Sequence, residues 1–590
     1  EPEQVSEFVV FGDRDDRPNM VKWLQESRPE LVGFNSYWFD DLILAAVFLA
    51  PQNPPETFYD LSQKLIENRR DEIRYWTQIA KARDEIGSID LLQVLGSRNV
   101  SLKELAGKLG LSVVEMPVPH DRPVSPDELE IVLAYNRSDV QVTTALYHEL
   151  AAVIETRRGI GREFGVNALS CSDSVLANRI LEKLHGRPKT QGTPRVRIDL
   201  ENVISGKLRF ETPEFRDLLR ELRGLSLSGE DSFSFSKRIR FGRNVYKLGT
   251  GGIHSEDSPG VFGTAGGRLV DADVTSYYPQ IMLQNEIFPE HLDRGFLSFF
   301  RELVDARIKA KREGDKIRAD GLKITINATF GKLNSQFFWL YDPRAFIAVT
   351  VNGQLFLLDL IEKLELAGIP VLSANTDGVL SQIPPELETV YSAVVDEWQS
   401  RTGFELEFQD LELYVRRDVN NYVSRTVSGR VKTKGVFSEE RNLREGFRAP
   451  IIARALVQWF TRGITPEETI DSETAVLPFC YVFKPEKAFQ MVFRTPLGDS
   501  PTGRVNRYYM ARNGGLLVKR STAGREIMVR KSPVRLVNET LPERVDDLDR
   551  EFYLREIREI IGKIDGSPGG EFGEFGPRFA AESAALGHEV

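Results

Sequence analysis

The sequence predicts a multidomain α+β protein, and three observations carry that expectation. At roughly 100–200 residues per domain, 590 residues correspond to about three to five domains. Short apolar strands alternate with helical patterns over the first 150 or so residues, as in an α/β unit. Further on, apolar runs at 371–373 and 379–383 flank Asn375-Thr376-Asp377-Gly378, which is an antiparallel hairpin pattern.

Composition narrows the class. Hydrophobic residues make up 41% and charged residues 28%, ordinary for a globular chain. No uninterrupted apolar run of membrane-spanning length and no basic-then-apolar leader is evident, so no membrane association and a cytoplasmic setting are expected. The two cysteines, Cys171 and Cys480, are too few for a disulfide framework or a zinc knuckle and read as buried hydrophobes. A net charge of −10 excludes a globally basic surface but leaves room for a local basic groove.

Taken in order, residues 8–11 read as a strand, the region around Trp23 as a helix, 31–34 as a strand, and 129–157 as one amphipathic helix. The Pro/Gly/Thr-rich stretch 187–194 reads as a linker and Ser226–Ser236 as a Ser/Gly loop. A strand is expected at 267–274, helices at 296–313 and 318–330 with a turn at Gly314-Asp315, and a strong helix at 350–367. Helices at 448–463 and 550–563 surround a basic, Gly-containing middle. The Gly/Ala/Glu-rich stretch from Gly566 is expected to fray.

Three separated segments concentrate chemistry: Asp273-Val274-Thr275-Ser276-Tyr277-Tyr278-Pro279, Lys323 to Gly331, and Asn375-Thr376-Asp377-Gly378. Asp273 ends a strand and Asp377 sits at a hairpin tip. Carboxylates on adjacent strand ends can bridge Mg²⁺ ions, which prefer oxygen ligands. Such an arrangement activates an attacking hydroxyl and stabilises a leaving phosphate. Lys323 and Asn327 share a helix face, as do Arg307 and Lys311 on the helix before it. These cations would suit a triphosphate, since phosphoryl transfer rests on positioning and charge.

Together these segments resemble the three polymerase motifs of family B DNA polymerases, DxxSLYP, KxxxNSxYG and YxDTDS, with 50 and 54 residues between the anchors. The resemblance implies that Asp273 and Asp377, with the backbone carbonyl of Val274, hold two Mg²⁺ ions, with Mn²⁺ as a substitute. It implies that Arg307, Lys311 and Lys323 grip the triphosphate, beside Ser276 and Tyr277. Tyr278 would exclude a ribose 2′-hydroxyl, and Asn327 and Phe330 would shape the base-pair pocket. The third motif departs from the pattern at Asn375 and Gly378, a variant that looks more phage-like than cellular. If the source is viral, the setting is the host cytoplasm.

Flanking segments resemble further family elements. Thr250-Gly251-Gly252 is similar to a YxGG element, with the glycines placed for close approach to the template, and Lys434-Gly435 to a KG element. Asn420-Asn421-Tyr422 occupies roughly the place of a KxY element without its lysine, which puts one primer-strand contact in doubt. Asn35 to Asp40 and Tyr135 to Asp139 resemble the second and third motifs of a DEDDy 3′–5′ exonuclease. There Asp40 and Asp139 would hold metals and Tyr135 would position the attacking water. The Asp-x-Glu of a first exonuclease motif does not precede Asp40, so an upstream segment is expected before Glu1, the alternative being a degenerate, inactive exonuclease. Proofreading is then expected of a complete protein and not of this chain.

Residues 504–535 carry nine Lys/Arg and one acid, Glu526, with Tyr508 and Tyr509 interleaved. That reads as a phosphate-tracking surface, with Arg504, Arg507, Arg512, Lys519 and Arg520 as DNA contacts. The weaker excess at 301–323 is eight bases against five acids. The resemblance implies an RNase H-like exonuclease unit (1–160), a connecting region (161–262), and a right-hand polymerase. Its antiparallel-sheet palm would be 263–300 and 346–437, its short helical fingers 301–345 and its thumb 438–590. The partners implied are primer–template DNA, dNTPs and replication accessory proteins. With so few residues between Asp273 and Lys323, nucleic-acid priming is favoured over protein priming. Two rival readings remain: a 3′–5′ exonuclease whose polymerase half only binds DNA, and a non-catalytic replication scaffold.

Overall fold

A computed structural model describes residues 6–96, 100–186, 188, 192, 194–229, 233–439, 443 and 448–566. In the N-terminal unit, Val32–Gly33 pairs in parallel with Ile89–Asp90, and helices Arg17–Ser27 and Asp40–Leu49 follow the expected alternation. The helix expected over 129–157 is two helices, α1 (Leu129–Glu149) and α2 (Ala151–Phe164). The break falls at the buried Leu150, which packs with Leu146 and Ile154 on the same core as Ile89 and Leu91. A bend there keeps the apolar faces of both helices turned inward.

Most of the linker expected at 187–194 lies outside the described residues; it follows helix α3 (Asp173–His185). The expected Ser/Gly loop begins as a strand, Ser226–Ser228, paired with Arg197–Asp199, while 230–232 lie outside the described residues.

A ten-stranded antiparallel sheet forms the centre. Its strands are β1 (Ser236–Phe241), β2 (Asn244–Gly249), β3 (His254–Ser255), β4 (Gly260–Gly263), β5 (Arg268–Val274), β6 (Val371–Asn375), β7 (Gly378–Ile383), β8 (Leu406–Asp418), β9 (Asn421–Thr426) and β10 (Val431–Lys434). They lie in the order β10-β9-β8-β5-β7-β6-β3-β2-β1, with β4 also paired to β8. The expected hairpin is β6–β7, and β5 lies between it and β8.

Helices α4 (Gly295–Glu313) and α5 (Lys316–Lys332) follow β5, turning at Gly314-Asp315 as expected. Reciprocal glycine notches seat α5 on α2. A Cβ at Gly159 would lie 2.9 Å from Ile317, and one at Gly321 would lie 2.7 Å from Phe164. Thr325 and Thr329 face this buried side, and their hydroxyls donate to the carbonyls of Gly321 and Thr325. Lys323 and Asn327 therefore emerge on the opposite, exposed face.

The strong helix starts earlier than its pattern suggested, as α6 (Pro343–Leu366), because Asp342 caps it through the N–H groups of Arg344 and Ala345. By length and mean hydropathy of 1.5 it could cross a membrane, but 94% of that window is buried inside the protein. It is the core helix against the sheet. Each fully buried Leu, Ile or Phe on it, such as Leu357, Ile361 and Phe356, contributes on the order of 1.5–3 kcal/mol.

Beyond the sheet, helices Pro450–Arg462 and Arg550–Asp565 enclose a six-stranded sheet built on the long strand Asn506–Ser521. Their core is continuous with Leu413 and Val415 of β8. The segment around 107–113 of the N-terminal unit docks here: Val113 N–H donates to the Asn538 carbonyl at 2.7 Å.

Candidate active site

Register brings the two separated aspartates together. Asp273 pairs with Gly378 across β5–β7, so Asp377, one residue earlier at the hairpin tip, stands beside it. The Val274 N–H donates to the Asp377 carbonyl at 2.8 Å, locking the tip to the end of β5. Thr376 takes a left-handed φ of 50° at the tip, and its N–H donates to the Ile253 carbonyl at 2.8 Å. Gly252 lies directly beneath, where a Cβ would come within 2.8 Å of the Thr376 side chain. The expected template-facing pair therefore divides its roles. Gly252 underpins the hairpin tip, and Gly251, exposed, has nothing within 4 Å of a Cβ position. His254 lies opposite Asn375, and burial pushes its imidazole below its ordinary range, as suits a structural residue.

A cavity of about 380 Å³ opens beside this pair, lined by Asp377, Arg307, Lys323, Asn327, Tyr278 and Phe330, with Ser276 and the backbone at Val274 on its edge. Four chain segments thus converge: the end of β5, α4, α5 and the hairpin tip. Arg307 donates to the Ser276 hydroxyl at 2.6 Å. The Tyr278 ring stacks on Phe330 at 4.2 Å between centroids, which fixes its plane in the cavity wall. Two expected members behave differently. Tyr277 is 3% exposed and its hydroxyl donates to the Gly353 carbonyl, so it supports the wall and offers no free polar group. Lys311 lies outside the cavity lining and reaches Glu407 of β8 at 3.3 Å, because its helix turns that side chain toward the sheet.

The electrostatics are those of negative charge short of cations. Burial pushes the carboxyls of both Asp273 and Asp377 above their ordinary range, and Asp273 adds to the effect on Asp377. Asp271, on the same face of β5, is pushed up to about 6 by burial and Asp273. The charge of Lys432 opposes the shift at all three. Desolvated carboxylates in this state favour a bound cation, and an all-oxygen donor set suits Mg²⁺. Among the described residues no three His, Cys, Asp or Glu side chains form a closed metal cage. Two carboxylates and a carbonyl fit the alternative, in which substrate phosphates complete the coordination.

The N-terminal candidates fall into two groups. Asp40 lies beside Asp41 and near Asp90, and its surroundings together with Asp41 push it up to about 6. Tyr135 and Asp139, one helical turn apart on α1, share Lys103: its ammonium pairs with Asp139 and lies 4.0 Å from the Tyr135 ring centroid. Among the described residues neither Asp40 nor Asp139 belongs to a group of three acids that could hold a metal.

Several bases of the stretch 504–535 have partners within the protein. Arg507 is fully buried, its guanidinium donating to the carbonyls of Val537 at 2.9 Å and Leu111 at 2.8 Å. Arg520 pairs with Asp499 and Glu526, and Lys519 with Glu486. Arg504 donates to the Pro485 carbonyl, and Arg512 to that of Asp546. Of the expected phosphate contacts, Arg507 is corrected, while Arg504, Arg512, Lys519 and Arg520 stay at least partly exposed beside these partners. The long strand brings acids from 486 and 499 alongside these bases, and Arg507 turns into the protein. Lys434, by contrast, lies 5.9 Å from the Tyr422 ring and acts electrostatically on Asp377.

Sequence reasoning missed Asp271, Glu407, Lys432 and Asp90. Period-two alternation on β5 was the available signal for Asp271. Glu407 and Lys432 enter only through strand register. Asp90 is fully buried, accepts from the N–H groups of Asn35 and Tyr37, and so shapes the loop that leads to Asp40.

No family model matches the chain. It is 23% identical over 490 residues to DNA polymerase 1 of Aeropyrum pernix, covering 75% of this chain and 46% of that protein. It is 28% identical over 153 residues to DNA polymerase II of Escherichia coli, covering 22% of this chain and 19% of that protein. A solved structure of the family B DNA polymerase from Pyrobaculum calidifontis overlays with a TM-score of 0.43 at 14% identity, covering 95% of this chain and 73% of that one. The chain spans less than half the length of the curated relatives it matches.

Proposed function

We infer that the chain is a template-directed DNA polymerase of the family B type, joining a dNTP to a primer 3′-hydroxyl. The observation that carries the reading is the convergence of Asp377, Arg307, Lys323, Tyr278, Asn327 and Phe330 on one cavity at the end of β5, beside Asp273. Sequence similarity to DNA polymerases over 490 residues supports it.

In this reading Asp273, Asp377 and the Val274 carbonyl would hold two Mg²⁺ ions. The metal, when bound, supplies Lewis-acid activation of the hydroxyl and charge neutralisation at the phosphates. The chain's own residues do the rest. Arg307 and Lys323 grip the β- and γ-phosphates from α4 and α5, with Lys311 available from outside the cavity. Arg307 is pre-aimed by its bond to Ser276. The Tyr278 ring, held by Phe330, lies under the sugar, where a 2′-hydroxyl would clash. Asn327 and Phe330 border the base. The primer oxygen gives up its proton to solvent and attacks the α-phosphate in line; the new P–O bond forms, the bond from the α-phosphorus to the bridging oxygen breaks, and the β- and γ-phosphates leave as pyrophosphate.

The sheet and α6 serve as palm, α4 and α5 as fingers, and the C-terminal unit as thumb. The N-terminal unit carries Asp40, Tyr135 and Asp139 as candidate residues of a 3′–5′ exonuclease site. A labelled primer–template incubated with Mg²⁺, with and without dNTPs, tests the reading. Lengthening dictated by the template supports it. Shortening alone would move the activity to the N-terminal unit, and no change in either direction would favour a scaffold.

A further inference from the structure

A second cavity, of about 600 Å³, opens beside Asp273, lined by Asp271, Glu407, Gln409, Arg430 and Lys432. Asp273 borders it, whereas the remaining acid, Asp377, faces the nucleotide cavity. A polyanionic primer approaching this side meets Asp271, Asp273 and Glu407, whose like charge repels it. Mg²⁺ held at Asp273 and Asp377 would offset part of that charge, but Asp271 and Glu407 line the mouth without such a partner, and a cation of the protein there would ease the primer's approach.

The segment expected to provide the cation does not. Position 420 is Asn, and the amide of Asn421 is committed to structure: its Nδ2 donates to Asp418 at 2.7 Å and its Oδ1 accepts from Val436 N–H at 2.9 Å. Gly435 allows this contact, since a Cβ there would lie 2.2 Å from the Asn421 Oδ1. Tyr422 remains, and the adjacent strand brings lysines to it. Lys432 pairs in register with Ser424 and Lys434 with Tyr422, so both point to one face of β10. Each ammonium lies 5.9 Å from the Tyr422 ring centroid.

Lys432 is exposed at the cavity edge. Among the described residues it makes no ion pair within 4.0 Å, yet its charge acts on Asp271, Asp273 and Asp377 together. A lysine without a carboxylate partner, beside a groove of acids, is available to an incoming phosphate.

We propose that Lys432 binds the 3′-terminal phosphates of the primer strand beside Asp273, taking from the next strand the place of the lysine that Asn420-Asn421-Tyr422 lacks. The proposal rests on the polymerase reading above. Tyr422 orients the ammonium, and the long lysine stem spans the distance from β10 to the mouth of the cavity.

The test is steady-state extension on a primer–template at varied DNA and varied dNTP, with Lys432→Met, Lys432→Arg and the double variant Lys432→Met/Asn420→Lys, all checked by thermal melting. Lys432→Met should raise KM for primer–template about tenfold while KM for dNTP moves less than about twofold. Its DNA-binding salt slope should be shallower by about one phosphate contact. Lys432→Arg should stay near the parent, and Asn420→Lys should recover much of the loss. An unchanged KM for DNA in Lys432→Met, an equal rise in KM for dNTP, or a double variant no better than the single one overturns the proposal. A parent chain that never extends the primer overturns the polymerase reading itself, which separates the two failures.

Discussion

The carboxylate of Asp273 occupies the space that a side chain at position 378 would need: a Cβ on Gly378 would stand 2.0 Å from the Asp273 Oδ1. The glycine at position 378 is thus tied to the placement of Asp273, the acid to which the proposed function gives a metal. Gly378→Ala should push Asp273 out of line while leaving the hairpin paired. Single-turnover extension should fall by about 10- to 100-fold with a nearly unchanged unfolding midpoint. Full activity in that variant would mean that Asp273 does not need the position it occupies here.

The stacked pair Tyr278–Phe330 makes a second prediction. Tyr278→Ala should raise incorporation of ribonucleotides relative to deoxyribonucleotides, measured by competition on one template. Phe330→Leu should do the same more weakly, because it frees the tyrosine ring to tilt. Unchanged discrimination in Tyr278→Ala would remove it from the gate.

Arg507 tests the corrected view of the basic stretch. Arg507→Met leaves the carbonyls of Val537 and Leu111 without their donor in a buried place, and should cost about 2–4 kcal/mol in urea unfolding. The salt slope of duplex binding should stay as it is. A fall in DNA affinity with no loss of stability would restore the phosphate-contact reading.

Asp90 supplies a pH prediction. Burial raises its carboxyl from 3.8 to about 6 in the folded protein. The unfolded chain therefore loses this proton first as pH rises. The stabilisation from the protonated form is complete below the unfolded value and is lost as pH rises through about 6. Urea midpoints measured between about pH 4 and 7 should show a smaller decline in Asp90→Asn than in the parent. Parallel profiles would contradict this.

Local patterns made much of the centre legible. The Thr-Asp-Gly turn between apolar runs, the strand ending in Asp273 and the Lys323/Asn327 face of α5 lie as read. What needed the third dimension was less so. Residues 486, 499 and 547 neutralise bases far from them in sequence, and no run of Lys/Arg reveals such pairing. Tyr277 and Tyr278 are neighbours with opposite fates, one buried and one in the cavity wall, because the helix that follows Ser276 turns them to different sides. Lys432 became visible only through the register of β9 and β10.

In the proposed function Asp377 at the hairpin tip works with Asp273 in nucleotidyl transfer. The most direct measurement compares Asp377→Asn with the parent in Mg²⁺-dependent primer extension, with duplex affinity measured alongside. Extension should be abolished while duplex binding is retained. Undiminished templated extension by Asp377→Asn would contradict it.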